Sequence, residues 1–318
     1  MSAVVPLRPL RVLFVDDEAR ITRALRALFR DFDTYATNNP AEAPRIVAER
    51  DIDLVVCDQR MPGITGVDCL REIRQLAPRA MRILLTGFSD LKAVLGSVNE
   101  SEVFRFVSKP WDNRELREIV TTAGRIARET PALGADLLAP RDHDEARESV
   151  GVLVIEDDAA SQQRLREFLQ PHYHVRFASN SERALQILEQ HETGVVVSAT
   201  ESAQGDLTGL VKALKHYHPH IATIVVTDRA NSQLAIDLIN EGQVYRMLLK
   251  PLRMGSCRLS VDAAVARYWQ LKRAPAAVRR ISVMPRTDNV VPLASVSDSL
   301  LARIRQLPSR IASIARFA

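Results

Sequence analysis

The chain has 318 residues, 46% of them hydrophobic, and carries a formal charge of +4; at about 100 to 200 residues per domain, two domains are expected. No run approaches the ~20 apolar residues of a membrane span, and the apolar stretch Leu10 to Val15 is interrupted by Arg11 and followed by Asp16, Asp17 and Glu18, unlike a secretory signal. Cys57, Cys69 and Cys257 have no CxxC spacing, so they read as core residues of a reduced compartment, with the cytosol as the default location.

The predicted elements of the first part alternate apolar runs rich in β-branched residues with segments of helical period. Strands are expected at Leu10 to Val15, Thr34 to Ala36, Leu54 to Cys57, Arg82 to Leu85 and Val103 to Val107. Between them, Ile21, Ala24, Leu25, Leu28 and Phe29 form one apolar helix face, and Leu91, Val94, Leu95 and Val98 another. A strand and helix repeated in this way predicts an α/β fold: a doubly wound parallel sheet with helices on both faces.

The chain then repeats itself. RVLFVDDE at 11–18 returns as GVLVIEDD at 151–158, RILLTG at 82–87 as TIVVTD at 223–228, and NESEVFRFVSKP at 99–110 as NEGQVYRMLLKP at 240–251. A constant shift of about 140 residues marks two copies of one domain. The expected boundaries are 8–128 for the first copy, 129–149 for a linker holding Pro131, Gly134 and Pro140, 150–272 for the second copy, and 273–318 for a tail. From Leu271 onward nine Lys or Arg face two Asp, so this end carries +7 and residues 1–270 carry −3.

In open parallel sheets, sites form beyond the carboxyl ends of the strands. There the first copy places Asp16 and Asp17, Asp58, Thr86 and Lys109. A lone strand-end aspartate is usually a turn former or helix cap; five such groups in one crevice are another matter. Three converging carboxylates repel one another and suit a hard divalent cation such as Mg²⁺. A carboxylate is also a nucleophile toward phosphorus, and a cation, an ammonium and a hydroxyl stabilise a phosphoryl group in transfer.

This pattern, with the Lys109-Pro110 pair and the Met61-Pro62-Gly63 loop, resembles the receiver domain of bacterial two-component response regulators. The resemblance implies two flavodoxin-like (βα)5 domains and phosphorylation of Asp58 by a sensor histidine kinase or a phosphotransfer protein. It implies Mg²⁺ held by Asp17, Asp58 and the backbone carbonyl of Arg60 with Asp16 in support, Thr86 and Lys109 on the phosphoryl oxygens, and Phe106 as a switching aromatic. A plain core phenylalanine would look the same as the last. Arg60 and Phe88, two residues beyond Asp58 and Thr86, are bulky enough to slow attack by water, so a long-lived phosphoryl group is expected.

In the second copy Glu156, Asp157, Thr227 and Lys250 stand where Asp16, Asp17, Thr86 and Lys109 stand in the first, but Ala199 replaces Asp58 and Met247 replaces Phe106. The copy resembles a degenerate receiver that cannot be phosphorylated. His216, His218 and His220 read as an exposed loop around Pro219 rather than a metal site. No P-loop, HExxH, GxSxG or zinc-finger spacing is present, and an enzyme is not expected. Leu300, Ile304, Leu307, Ile311 and Ile314 lie at helical spacing with arginines interleaved and Pro308 between them. This stripe suits docking on a protein partner or on the chain's own domains; a membrane surface and a phosphate-sink role without output stay open, as does a homodimer. A nucleic-acid-binding regulator acting through the basic tail ranks lower, since no segment the size of a helix-turn-helix domain remains.

Overall fold

The computed structural model describes residues 8–87, 102–129, 150–228, 232–240, 244–281 and 297–307. The chain divides into two compact units, Met1–Ala132 and Leu133–Ala318. The expected helix at Leu91 to Val98, Phe88, the linker beyond Glu129, and Ile311 and Ile314 lie outside the described residues.

The first unit runs β1 (Arg11–Val15), α1 (Ala19–Leu28), β2 (Asp33–Thr37), α2 (Ala43–Arg50), β3 (Leu54–Asp58), α3 (Gly66–Leu76), β4 (Met81–Thr86), β5 (Arg105–Ser108) and α4 (Asn113–Glu129). Its five strands form one sheet of order β2-β1-β3-β4-β5, parallel throughout. The central strands are buried along their whole length because helices cover both faces, which is why LVVCD reads as an unbroken apolar run until its last residue and ILL runs unbroken before Thr86, with Arg82 at the start of β4 buried and bonded to the Ala80 carbonyl. One expectation shifts. Helix α1 buries Thr22 and Leu25, with Phe29 just past its end, whereas Ala24 is exposed; the apolar face is rotated, and the threonine hydroxyl folds back onto the carbonyl of Ala19. Helix α4 also continues through Glu129, where the linker was expected to begin.

The second unit repeats the plan: β6 (Gly151–Ile155), α5 (Ala159–Leu169), β7 (His174–Ala178), α6 (Ser181–Gln190), β8 (Val195–Ala199), a small hairpin of β9 (Glu201–Ser202) and β10 (Gly205–Asp206), α7 (Thr208–Tyr217), β11 (Ala222–Thr227), α8 (Ser232–Asn240), β12 (Arg246–Leu249) and α9 (Met254–Arg273). Its five-stranded sheet has the order β12-β11-β8-β6-β7 and is again parallel. Two elements follow without counterpart among the described residues of the first unit, a 3-10 turn at Pro275–Ile281 and α10 (Asp298–Gln306). Ser297 caps α10 by accepting from the Leu300 N–H. Ile304 and Leu307 then enter the core formed with α6 and α7, with Leu300 and Leu301 packed against it.

Helix α10 overturns the reading of the histidines as an exposed loop. His216 is exposed on the last turn of α7, but His218 is buried, its Nε2 2.6 Å from the Ile304 carbonyl oxygen, and His220 is partly buried beside it. The loop is covered by a segment 86 residues further along the chain, which no local pattern could announce.

Candidate functional site

The carboxyl ends of β1, β3, β4 and β5 bring the predicted residues of the first unit together. Asp16 follows β1 and is 1% exposed; Asp58 ends β3 and is 6% exposed; Asp17 is exposed at the rim. Carboxylate oxygens of the three lie within 4.8 Å of one another, and among the described residues no other acidic, histidine or cysteine cluster is as close. Lys109 follows β5 and reaches back across the strand ends, its Nζ 2.5 Å from Asp58 Oδ1 and 3.0 Å from Asp16 Oδ2. Burial works against the Lys109 charge, yet hydrogen bonds to Asp58 and Asp16 hold its pKa above the ordinary lysine value. For Asp16 burial prevails, and its carboxyl lies above its ordinary value despite the Lys109 ammonium and the Glu18 N–H.

The other predicted residues are placed as follows. The Arg60 N–H donates to Asp58 Oδ2 at 3.1 Å, so the backbone at Arg60 turns in toward the acidic pocket. Thr86 ends β4, 1% exposed, with its hydroxyl donating to the Gly87 carbonyl and its own carbonyl accepting from the Lys109 N–H. Phe106 is buried on β5, in register with Leu84. Three supporting residues escaped the sequence reading. Asn38, just past β2, donates its amide to the Asp16 carbonyl at 2.7 Å. The Gln59 side chain accepts from the Val67 N–H, tying the residue after Asp58 to the start of α3. Gly66 lies so close that a Cβ there would stand 2.1 Å from the Asp58 carbonyl oxygen. Asn38 had a signal, since it too is a polar residue at a strand's carboxyl end; Gly66 had none, because the close approach is tertiary.

Among the described residues three carboxylates face one ammonium here, and two of the carboxylates are buried. The donor set is entirely oxygen and the local charge is unbalanced by two, which fits a divalent hard cation.

The second unit holds a different arrangement. Lys250 Nζ pairs with Glu156 Oε2 at 2.8 Å, and Asp157 accepts from the Ala203 N–H in the β9–β10 hairpin. Ala199 ends β8 in register with Val226, as Asp58 ends β3 in register with Leu85. The Gly66 N–H to Gln59 carbonyl bond is repeated by Leu207 and Thr200, so a buried leucine takes the glycine's place and the surrounding loop is rebuilt as the hairpin. Lys109-Pro110 and Lys250-Pro251 are both cis.

The response regulator receiver domain model matches residues 12–121 and again 152–261. Among curated proteins, the hydrogenase transcriptional regulatory protein HoxA of Bradyrhizobium diazoefficiens is 33% identical over 136 residues, covering 42% of this chain and 28% of that protein. The regulatory protein AtoC of Escherichia coli is 34% identical over 115 residues, covering 36% of this chain and 25% of that one. The chain thus spans about a quarter of the length of these relatives. Among solved structures, a signal receiver domain of an HD domain-containing protein from Pseudomonas fluorescens is 31% identical, covers 40% of this chain and 96% of that one, and has a TM-score of 0.39. Two family matches, each laid over one parallel five-stranded sheet, establish that the chain belongs to the response regulator receiver domain family, which it contains twice in tandem.

Proposed function

We propose that the chain is a response regulator that accepts one phosphoryl group, on Asp58, from a histidine kinase or phosphotransfer protein, and signals through protein contacts. Receiver domains are signalling modules rather than enzymes, and they imply a histidine kinase partner. The observation that carries the reading is the Lys109 ammonium spanning Asp58 and Asp16 at the mouth of the acidic pocket. An Asp58 oxygen forms the new bond to phosphorus as the bond to the donor breaks. Lys109 and the Thr86 hydroxyl, turned from the Gly87 carbonyl, receive the phosphoryl oxygens. Asp17, Asp58 and the Arg60 carbonyl, with Asp16 in support, would hold a Mg²⁺ ion, which would supply further positive charge to those oxygens. Phe106 is assigned the switch that reports occupancy to the surface of β4 and β5.

The second copy is read as a degenerate receiver, because Ala199 offers no side-chain oxygen and Lys250 keeps only the counterpart of the Lys109–Asp16 pair, with Glu156. Protein contact is favoured over nucleic acid as the output because Arg303 of α10 is already held by the Glu182 and Glu189 carboxylates. Full-length protein treated with a small phosphodonor and Mg²⁺ should gain one phosphoryl group, absent in Asp58→Asn. Full labelling of that variant would overturn the assignment.

A further inference from the structure

The second unit contains a cavity of about 430 Å³ at the end of its sheet away from Ala199 and Lys250. Thr193 and Ile221, which precede β8 and β11, lie in its wall, so it opens at the amino ends of the strands. The rest of the enclosure comes from the last turn of α9, the 3-10 turn and the end of α10, through Leu271, Pro275, Val278 and Leu307. The two closing elements have no counterpart among the described residues of the first unit. Interiors normally pack without voids much larger than a water molecule, and this volume falls in the range of small-molecule pockets.

Its chemistry is specific. Rings line it: Tyr217, His218, His220 and Tyr268, with His218 and His220 centroids 6.0 Å apart and His220 and Tyr268 6.2 Å apart. Burial and the neighbouring His218 and Lys215 hold His220 at a pKa of about 4, so its ring is uncharged near neutrality. Most charges at the wall are already matched. Glu192 accepts from Lys272 at 2.8 Å and from the Tyr268 hydroxyl at 2.9 Å, and Glu189 is held by Arg303. Arg305 differs. It lies 5.0 Å over the Tyr217 ring and gives its Nε–H to the Tyr217 hydroxyl, and among the described residues no carboxylate pairs with it. The outer edge of its guanidinium therefore remains as a fork for an oxyanion at the cavity mouth. The loop at the back is fixed by Lys215, whose Nζ donates to the Pro219 and Ile221 carbonyls, so the wall is formed in advance of any ligand.

We infer that this cavity is a binding site for a small flat aromatic molecule bearing one anionic group, its ring set among Tyr217, His218, His220 and Tyr268 and its anion on Arg305. Ring contact supplies apolar burial and edge-to-face pairing; the guanidinium supplies the charge-assisted bonds. The inference is independent of phosphorylation at Asp58. Because α10 forms part of the wall, the same ligand would hold that helix in place.

Calorimetric titration of the full-length protein tests it, with indole-3-acetate and AMP as ring anions, indole as a ring without charge, and sodium acetate and sodium phosphate as charge without a ring. The expected result is saturable one-to-one binding of at least one ring anion, at least about tenfold weaker for indole, with no saturable binding of acetate or phosphate. The better of the two ring anions distinguishes an aromatic carboxylate from a nucleotide source. Arg305 is exposed, so Arg305→Ala should leave folding intact and weaken the ring anion about tenfold; Val278→Trp should block it by filling the cavity. Failure of both ring anions to saturate, unchanged affinity in Arg305→Ala, or equal binding of acetate or phosphate would overturn the site.

Discussion

Lys109 Nζ stands 2.5 Å from Asp58 Oδ1 and 3.0 Å from Asp16 Oδ2, while at the matching place in the second unit Lys250 keeps the corresponding pair with Glu156, at 2.8 Å, and has Ala199 where Asp58 would stand. The same residue type at the same strand end thus serves two different ends. Lys109→Ala should slow labelling of Asp58 by a small phosphodonor by at least about tenfold, the worth of a charge-assisted bond to a phosphoryl oxygen. Lys250→Ala should leave labelling unchanged and instead lower the thermal stability of the second unit, by about 1–3 kcal/mol, because it strands the Glu156 carboxylate, which is 2% exposed. Equal loss of labelling in the two variants would place the second copy in the chemistry.

Gly66 begins α3 directly against the Asp58 backbone, and an added methyl would meet the Asp58 carbonyl oxygen at 2.1 Å and Leu84 Cδ1 at 2.8 Å. Neither neighbour has room to yield, since both strands are buried. Gly66→Ala should therefore destabilise the first unit by about 2–3 kcal/mol and slow phosphorylation, because relief requires β3 to shift under Asp58. Unfolding curves and label uptake that match the parent chain would refute the close approach.

Much of the first site was legible because parallel strands buried on both faces leave polar residues only at their ends, so Asp16, Asp58, Thr86 and Lys109 stood out against apolar runs. What failed to show was what depends on distant chain. Ala24 sits at helical spacing with Leu25 and Leu28 yet faces outward, because the short hydroxyl of Thr22 was turned inward. His218 was read from Pro219 beside it, whereas its environment is set by Ile304. The hairpin at Glu201 to Asp206, which stands where the first copy has its Met61-Pro62-Gly63 loop, was announced by no local pattern.

Helix α10 docks by burying Ile304 completely and Leu307 almost so, and its Arg303 is gripped by Glu182 and Glu189 on α6 at 2.7 Å each. The apolar contribution should exceed the ionic one, since all three charged groups are at least about a third solvent-accessible and exposed pairs contribute little. Ile304→Ala is expected to cost the second unit about 2–5 kcal/mol, and Arg303→Ala under about 1 kcal/mol. Neither should change labelling of Asp58. Calorimetric melts in which Arg303→Ala costs more than Ile304→Ala would reverse this ranking.

Two basic side chains in the second unit, His220 and Lys215, give its stability a definite dependence on pH. Burial lowers His220 from 6.5 to about 4, so between those values the unfolded chain binds a proton that the folded chain lacks, and stability falls as the pH drops through that window. Burial likewise lowers Lys215 from 10.5 to about 7. Its ammonium lies against two backbone carbonyls rather than a carboxylate, so the unfolded chain again binds the extra proton, this time between pH 10.5 and 7. Stability therefore rises with pH in both windows, and the gain from Lys215 is absent below about 7. Melting temperatures of the second unit measured from pH 4 to pH 10 should climb accordingly. His220→Gln should flatten the curve between 4 and 6.5, and Lys215→Met should flatten it above 7. A parent curve that falls between pH 7 and 10, or one whose slope there survives in Lys215→Met, would show that this lysine keeps its proton in the folded chain.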